Sequence, residues 1–192
     1  MNAANAFLIA GLGNPGAEYA NTRHNLGFRV LDTFAARHNI EFGHKHKLYW
    51  AGSGRIGNHD IILLKPRTYM NLSGSAIASV CTKYGLKPQQ VMVVSDDFAL
   101  PLGRLRIRKS GGAGGHNGLK DIIACLGSQD FLRVRLGLGS APVNSDPANF
   151  VLDTFKPDEY ETVNTLIDTA ADALSYILEC GPDAAMNKFN AS

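Results

Sequence analysis

Three kinds of side chain in this sequence have types and spacings that could do chemistry together. His24 lies in Asn21-Thr-Arg-His-Asn25, a polar segment shortly after a strand-ending turn. A neutral imidazole paired with a carboxylate takes a proton from water near pH 7, the task of a general base. Asp96-Asp97 follows the strongly apolar run Val91-Met-Val-Val94, and in open α/β sheets ligands bind at that carboxyl edge. Adjacent carboxylates point different ways, so one can orient a catalytic partner while the other caps a turn or meets solvent. Gly111-Gly-Ala-Gly-Gly-His-Asn-Gly118 stands just before an apolar helical pattern. Its glycines let backbone approach a ligand closely, and the helix start offers unpaired N–H groups to an anion or oxyanion. Asn117 there, and Asn71 just before the pattern that begins at Leu72, serve either as helix caps or as ligand contacts.

Other motifs narrow the chemistry. Gly11-Leu-Gly-Asn-Pro-Gly16 fits the G-x-G-x-x-G of dinucleotide-binding units, but those glycines open a helix directly. Here no apolar helical face begins until Leu26, and Pro15 makes a turn that leaves Asn14 facing the cleft beyond the sheet. A nicotinamide-dependent oxidoreductase remains the alternative that rests on this motif. His44 and His46 form half of a metal site with no third ligand in view, so they read as a basic surface loop. H-E-x-x-H, P-loop and G-x-S-x-G patterns do not occur, which removes metalloprotease, NTPase and serine-hydrolase readings.

The elements that must hold these groups follow from hydrophobic periodicity. Phe7 to Gly11, Ile61 to Leu64 and Val91 to Val94 read as buried strands, with a partner strand near Leu48–Ile56. Leu105-Arg-Ile-Arg108 and Arg133-Val-Arg-Leu-Gly-Leu138 alternate, as strands with one solvated face do. Helical stripes run from Leu26 to His38, from Ala76 to Tyr84, from Leu119 to Leu126, and from beyond Pro157 to a stop at Gly181-Pro182. The predicted fold is α/β: a single three-layer domain over 1–192, with a central mixed, mostly parallel twisted sheet flanked by helices. The stretch 140–148 reads as a loop with freedom to move.

Composition agrees with one ordinary globular unit. The 192 residues are 45% hydrophobic and 19% charged, with a formal net charge of +2. Charge is unevenly placed: 103–140 holds seven Lys/Arg against Asp121 and Asp130, and 141–180 holds eight acids against Lys156. A local basic stretch suits phosphate contact. Cys81, Cys125 and Cys180 form no C-x-x-C, so neither a disulfide framework nor a zinc ribbon is indicated. Cys81 and Cys125 fall in helical apolar patterns and are expected to be buried. No basic n-region precedes the short apolar run at the N-terminus, and no run is long enough to span a membrane, which reads as a cytosolic chain.

Taken in order, the segments Gly11-Leu-Gly-Asn-Pro-Gly16, Tyr19, Thr22-Arg-His-Asn25, Lys65-Pro-Arg-Thr-Tyr-Met-Asn71, Asp96-Asp97 with Leu100-Pro-Leu-Gly103, Gly111 to Asp121, and Arg133 to Gly139 resemble the bacterial peptidyl-tRNA hydrolase family over nearly the whole chain. The resemblance implies a monomeric, cofactor-free and metal-free esterase that cleaves the bond between a peptide and the 3′-terminal ribose of tRNA. It implies that His24 activates the water, that Asp96 holds His24 in its basic orientation, and that Asn14 helps distinguish N-blocked from free aminoacyl groups. Asn71 and Asn117 then contact substrate, and Tyr19, Tyr69 and Met70 belong to the substrate and tRNA site. An ester is already activated relative to an amide, so a positioned water suffices without a Ser or Cys nucleophile.

The same resemblance gives Arg108 to tRNA phosphate, with Arg135 and Lys109 as further contacts. Alternation places Arg104, Arg106 and Arg108 on one face of a strand, and Arg133 and Arg135 on one face of another. If the two strands adjoin, they present a phosphate-binding strip. The sequence departs from the family at Ser95, where a His or aromatic residue is frequent, at Ala99, where an Asp is usual, and at Ala113, where His or Ser is common. A non-catalytic RNA-binding relative is the second alternative, against which the intact set of His24, Asp96, Asn14, Asn71 and Asn117 stands.

Overall fold

The structure, a computed structural model, describes residues 5–140 and 146–191. Four apolar strands run parallel at its centre: β1 (Ala6–Gly11), β4 (His59–Pro66), β5 (Val91–Asp97) and β7 (Leu132–Gly137). Around them stand β2 (His44–Lys45), β3 (Tyr49–Ile56) and β6 (Leu105–Arg108), all antiparallel, in the order β2-β3-β4-β1-β5-β7-β6. The mixed, mostly parallel sheet expected from the run-and-alternation pattern is therefore present. Strands buried on both faces need covers on both. On one face α1 (Leu26–Arg37), α5 (Tyr160–Cys180) and α6 (Pro182–Phe189) pack over Ile9, Leu63, Met92 and Val134. On the other, α2 (Ser73–Tyr84) and α3 (Asn117–Leu126) pack over Leu8, Ala10, Ile62 and Val93.

Close approach brings α1 down on the end of the sheet. A Cβ on Gly27 would lie 2.4 Å from the backbone nitrogen of Leu12 and 2.5 Å from the carbonyl oxygen of Val94. Only glycine lets the first turn of α1 seat there, and that seating brings the preceding turn against the carboxyl ends of β1 and β5. Two short helices are not evident from the sequence pattern. The helix α4 (Pro147–Leu152) starts within the stretch read as a loop, whose 141–145 portion lies outside the described residues. Gly181-Pro182, read as a stop, is also the start of α6, with Pro182 in its first turn. Cys81 is buried as expected, but Cys125 is exposed: the inward stripe of α3 runs through Leu119, Ile122 and Leu126, and a one-residue step turns a helix about 100°.

Candidate active site

One short turn of 3-10 helix, Arg23–Asn25, sends three consecutive side chains to three different elements. All three residues are buried. Arg23 donates from Nη2 to Glu159 Oε2 at 2.7 Å, and its guanidinium lies 4.6 Å from the ring centroids of both Phe150 and Phe155. Its backbone N–H donates to the Asp153 carbonyl at 2.9 Å, and Thr22 bridges to Thr154. Asn25 turns the other way: its Oδ1 accepts from the Asn14 N–H at 2.8 Å and its Nδ2 donates to the Asn14 carbonyl at 3.0 Å. Between them, His24 points at the end of β5.

There Nδ1 of His24 lies 2.8 Å from Oδ1 of Asp96. The same oxygen lies 3.2 Å from Nε2 of His116. The network assigns both tautomers. His116 is the N-cap of α3, and its Nδ1 accepts from the N–H groups of Gly118 and Leu119 at 3.1 and 3.3 Å. Its proton therefore sits on Nε2 and is donated to Asp96. His24 likewise donates its Nδ1 proton to Asp96, which leaves the ring's lone pair on Nε2. Burial opposes ionisation of Asp96, but the two imidazoles beside it and their hydrogen bonds hold its carboxyl well below the usual carboxylate range. It is a carboxylate at any physiological pH.

His24, Asp96 and His116 are also the one group among the described residues whose His, Cys, Asp or Glu ligand atoms cluster closely enough for a metal, all within 4.8 Å of one another. Their donor chemistry argues for protons instead. Both ring nitrogens facing Asp96 are at hydrogen-bond distance from a single oxygen, and the backbone bonds at Nδ1 keep the His116 proton on the facing nitrogen. His44 and His46 do not join this cluster: His44 is exposed on β2, and His46 stacks on Tyr49 at 4.5 Å between centroids. Residue type and spacing alone assign His116 no role. Its signal was position, directly before the α3 pattern and within a glycine-rich loop aimed at a strand-end carboxylate.

The asparagines and their neighbours divide into a buried and an exposed set. Asn14 is buried, and its Oδ1 accepts from the Met70 N–H at 2.8 Å. Met70 is buried too, packed in the core behind that bond rather than out on the surface. Asn71 lies exposed in a 3-10 turn, Met70–Leu72, and Asn117 is the exposed first residue of α3. Neither is an N-cap, since His116 caps α3 and α2 begins at Ser73. Tyr69 is 59% exposed and Tyr19 half-buried. Asp121 of α3 accepts from the Gly74 N–H at 2.7 Å, which ties the Asn71 turn to the Asn117 helix.

On the far side of Asp96 lies a cavity of about 420 Å³ lined by Arg108, Arg133, Arg135 and the glycine-rich loop. Strands β6 and β7 do adjoin, with Arg106 opposite Arg135 and Arg108 opposite Arg133. The strip is not uniform, however. Arg133 is buried, its guanidinium 4.2 Å from the Phe131 ring centroid, so it forms the floor. Arg135 is held by Asp97, whose Oδ2 accepts from both Nε and Nη2 at 2.5 Å. Lys109 leaves the strip: its Nζ pairs with Asp183 of α6 at 2.6 Å, both side chains exposed. Arg108 is exposed and faces the cavity. Asp97 also accepts from the Ala99 N–H at 2.9 Å, so the loop around Ala99 is braced from Asp97. Ser95 is fully buried with no hydrogen-bond partner for its Oγ among the described residues.

The family model described as peptidyl-tRNA hydrolase matches residues 8–192. The chain is 47% identical over 184 residues to a peptidyl-tRNA hydrolase of Clostridium novyi, covering 96% of this chain and 97% of that one. To the Mycobacterium tuberculosis protein of the same name it is 46% identical over 189 residues, covering 98% and 99%. The crystal structure of peptidyl-tRNA hydrolase from Acinetobacter baumannii superposes with a TM-score of 0.92 at 34% identity, over 100% of this chain and 97% of that one.

Proposed function

The chain belongs to the peptidyl-tRNA hydrolase family, and from that premise we propose that it hydrolyses the ester between an N-blocked aminoacyl group or peptide and the 3′-terminal ribose of tRNA, as one catalytic unit over 1–192. The observation that carries the mechanism is the 2.8 Å contact between His24 Nδ1 and Asp96. With Nδ1–H committed to a permanent carboxylate, Nε2 of His24 takes a proton from water as the water oxygen attacks the ester carbonyl carbon. The carbon–oxygen bond to the ribose then breaks, and the proton passes to the leaving ribose oxygen. Water is consumed, and a carboxylic acid and free tRNA result. Asp96 stabilises the imidazolium that forms in between.

The remaining residues take their roles around that step. Asn14, held on both sides of its backbone by Asn25, presents a fixed amide to the acyl group. Asn71 and Asn117 offer exposed amides to substrate without adding charge. Tyr69 and Tyr19 face the nucleotide end. Met70 acts from behind, by holding Asn14. Arg108 and Arg135 receive tRNA phosphate over the floor made by Arg133, while Lys109 is already paired elsewhere. Pure RNA binding has no use for a buried imidazole–carboxylate pair. No helix among the described residues is long and apolar enough to cross a membrane, and the reaction belongs in the cytoplasm, with the protein acting as a monomer.

Release of N-acetyl amino acid from N-acetyl-aminoacyl-tRNA tests the reading. Wild type should release it and should act poorly on the free-amine form. His24→Ala should abolish turnover and keep tRNA binding largely intact. Full turnover by His24→Ala sinks the mechanism.

A further inference from the structure

The start of α2 has no side-chain cap of its own. Its N-cap position is Leu72, which has no side-chain oxygen to offer. The hydroxyls nearby point backward: Ser73 Oγ donates to the Met70 carbonyl at 2.8 Å and Ser75 Oγ to the Leu72 carbonyl at 2.9 Å. The Gly74 N–H, one of the open donors of the first turn, donates instead to Oδ2 of Asp121 in α3, at 2.7 Å. An acid there also complements the positive end of the helix dipole. The two helices meet backbone to backbone at this point. A Cβ on Gly74 would lie 2.4 Å from the Asp121 carbonyl oxygen, so only glycine lets the joint close. A second close approach lies one turn earlier in α3, where a Cβ on Gly118 would meet Met70 Sδ at 2.7 Å.

This joint lies between the two exposed amides. Asp121 follows Asn117 by one helical turn, so the two share a face of α3. Gly74 follows Asn71 across the 3-10 turn that runs into α2. Asn71 therefore stands between two anchored N–H groups, that of Met70 on Asn14 and that of Gly74 on Asp121. We propose that Asp121 is a positioning residue for substrate: by capping α2 from α3 it sets the separation of the Asn71 and Asn117 amides, which then act as one two-point contact. The inference rests on the peptidyl-tRNA reading above, which gives both amides to substrate, and adds the device that spaces them. Fixed spacing matters because neutral amides give modest hydrogen bonds, and each group ordered before binding spares the cost of ordering it on binding. Asp121 is half-buried and engaged with Gly74, so it acts through the Asn71 turn.

Kinetics on N-acetyl-aminoacyl-tRNA with Asp121→Ala, Asn71→Ala and the double variant test this. Each single variant should raise KM by about tenfold with kcat within about twofold of wild type, the scale of one neutral hydrogen bond to substrate. The double variant should show a KM no more than about twofold above that of Asn71→Ala, because Asp121 acts through the amide already removed. A cap that serves stability alone gives either a wild-type KM in Asp121→Ala or independent losses that multiply to about a hundredfold; both overturn the proposal. So does a wild-type KM in Asn71→Ala. Asp121→Glu keeps an acceptor for Gly74 and moves it by one methylene, so it reads the spacing even if Asp121→Ala unfolds. Its KM should rise by about fivefold, and the rise should vanish in the Asn71→Ala background; an unchanged KM overturns the spacing role. Failure of wild type to cleave the substrate overturns the hydrolase reading instead.

Discussion

Arg23 stands one residue before His24 in the chain and 136 residues from Glu159, to which its Nη2 donates at 2.7 Å. The guanidinium is buried between the rings of Phe150 and Phe155, and its backbone nitrogen is tied to Asp153. An arginine in that position does nothing to substrate. It fixes the turn whose next residue is the proposed base, and so sets where the His24 imidazole rests against Asp96. A base displaced by about 1 Å loses rate on the order of 10²-fold.

Arg23→Ala should therefore lower kcat by about 10²-fold while tRNA affinity changes by no more than about twofold. The vacated site is shaped for a planar cation, so added methylguanidinium should restore much of the lost kcat, and tetramethylammonium at equal concentration should not. Arg23→Lys should rescue poorly, because a lysine ammonium lacks the planar fork that stacks between two rings. Equal kcat in Arg23→Ala and wild type would remove Arg23 from the positioning of His24.

Asp96 serves two histidines through one oxygen, and substitutions can separate the two uses. Asp96→Asn presents an amide that no longer selects the His24 tautomer or stabilises its imidazolium; kcat should fall by about 10³–10⁴-fold. His116→Asn keeps a residue able to cap α3 but too short to reach Asp96. Its kcat should fall much less, about tenfold, with thermal stability near wild type. A loss in His116→Asn as large as in Asp96→Asn would place His116 in the proton transfer itself.

What the sequence made legible follows the strength of each physical signal. The central strands and the faces of α1, α2, α3 and α5 are repeated patterns over many residues, and they emerge from apolar spacing alone. So does the placing of Asp96 at a strand end and of Arg106 and Arg108 on one face. The short elements did not emerge, since the two residues of β2 and the six of α4 carry too few positions to show a period. Long-range partners were also out of reach. Nothing local says that Asp97 would engage Arg135, that Arg23 would find two phenylalanines, or that a histidine would cap α3 with one nitrogen and serve Asp96 with the other. Local sequence leaves Asn71 and Asn117 open between helix cap and ligand contact, because caps are a common fate of an asparagine at a helix start; neither is an N-cap, and both lie exposed.

The arginines of β6 and β7 differ in what already holds them, and their variants should differ accordingly. Arg108 is exposed at the cavity, so Arg108→Ala should weaken tRNA binding and reduce the slope of log K against log salt by about 0.7–0.9, the loss of one phosphate contact. Arg135 is pre-positioned by Asp97. Asp97→Asn should weaken that hold and lower affinity while leaving the number of phosphate contacts, and hence the slope, nearly unchanged. Binding measured by fluorescence anisotropy across a salt series separates the two. A slope in Arg108→Ala identical to wild type would return the strip to an ordinary solvated sheet face.

The edge of the sheet that carries Arg106 and Arg108 is closed by a side chain from the other end of the sequence. Oδ1 of Asn190 accepts from the Ile107 N–H at 2.7 Å, and its Nδ2 donates to the Ile107 carbonyl at 3.1 Å. One amide thus stands in for a neighbouring strand, and β6 is left with β7 on one side and Asn190 on the other. Edge strands with open N–H and C=O groups are poorly held and prone to wrong pairing. Asn190→Ala should cost about 1–2 kcal/mol, the net value of the two hydrogen bonds, which lowers Tm by roughly 2–8 °C in a chain of this size. Because β6 bears Arg108, the arginine proposed to meet phosphate, tRNA affinity should fall with stability, while kcat at saturating substrate holds, since His24 and Asp96 lie on other elements. Thermal unfolding and a kcat-against-KM comparison on the same preparation check both halves. A fall in kcat with unchanged KM would mean that the C-terminal clamp acts on the chemistry and not on the strand that grips the nucleic acid.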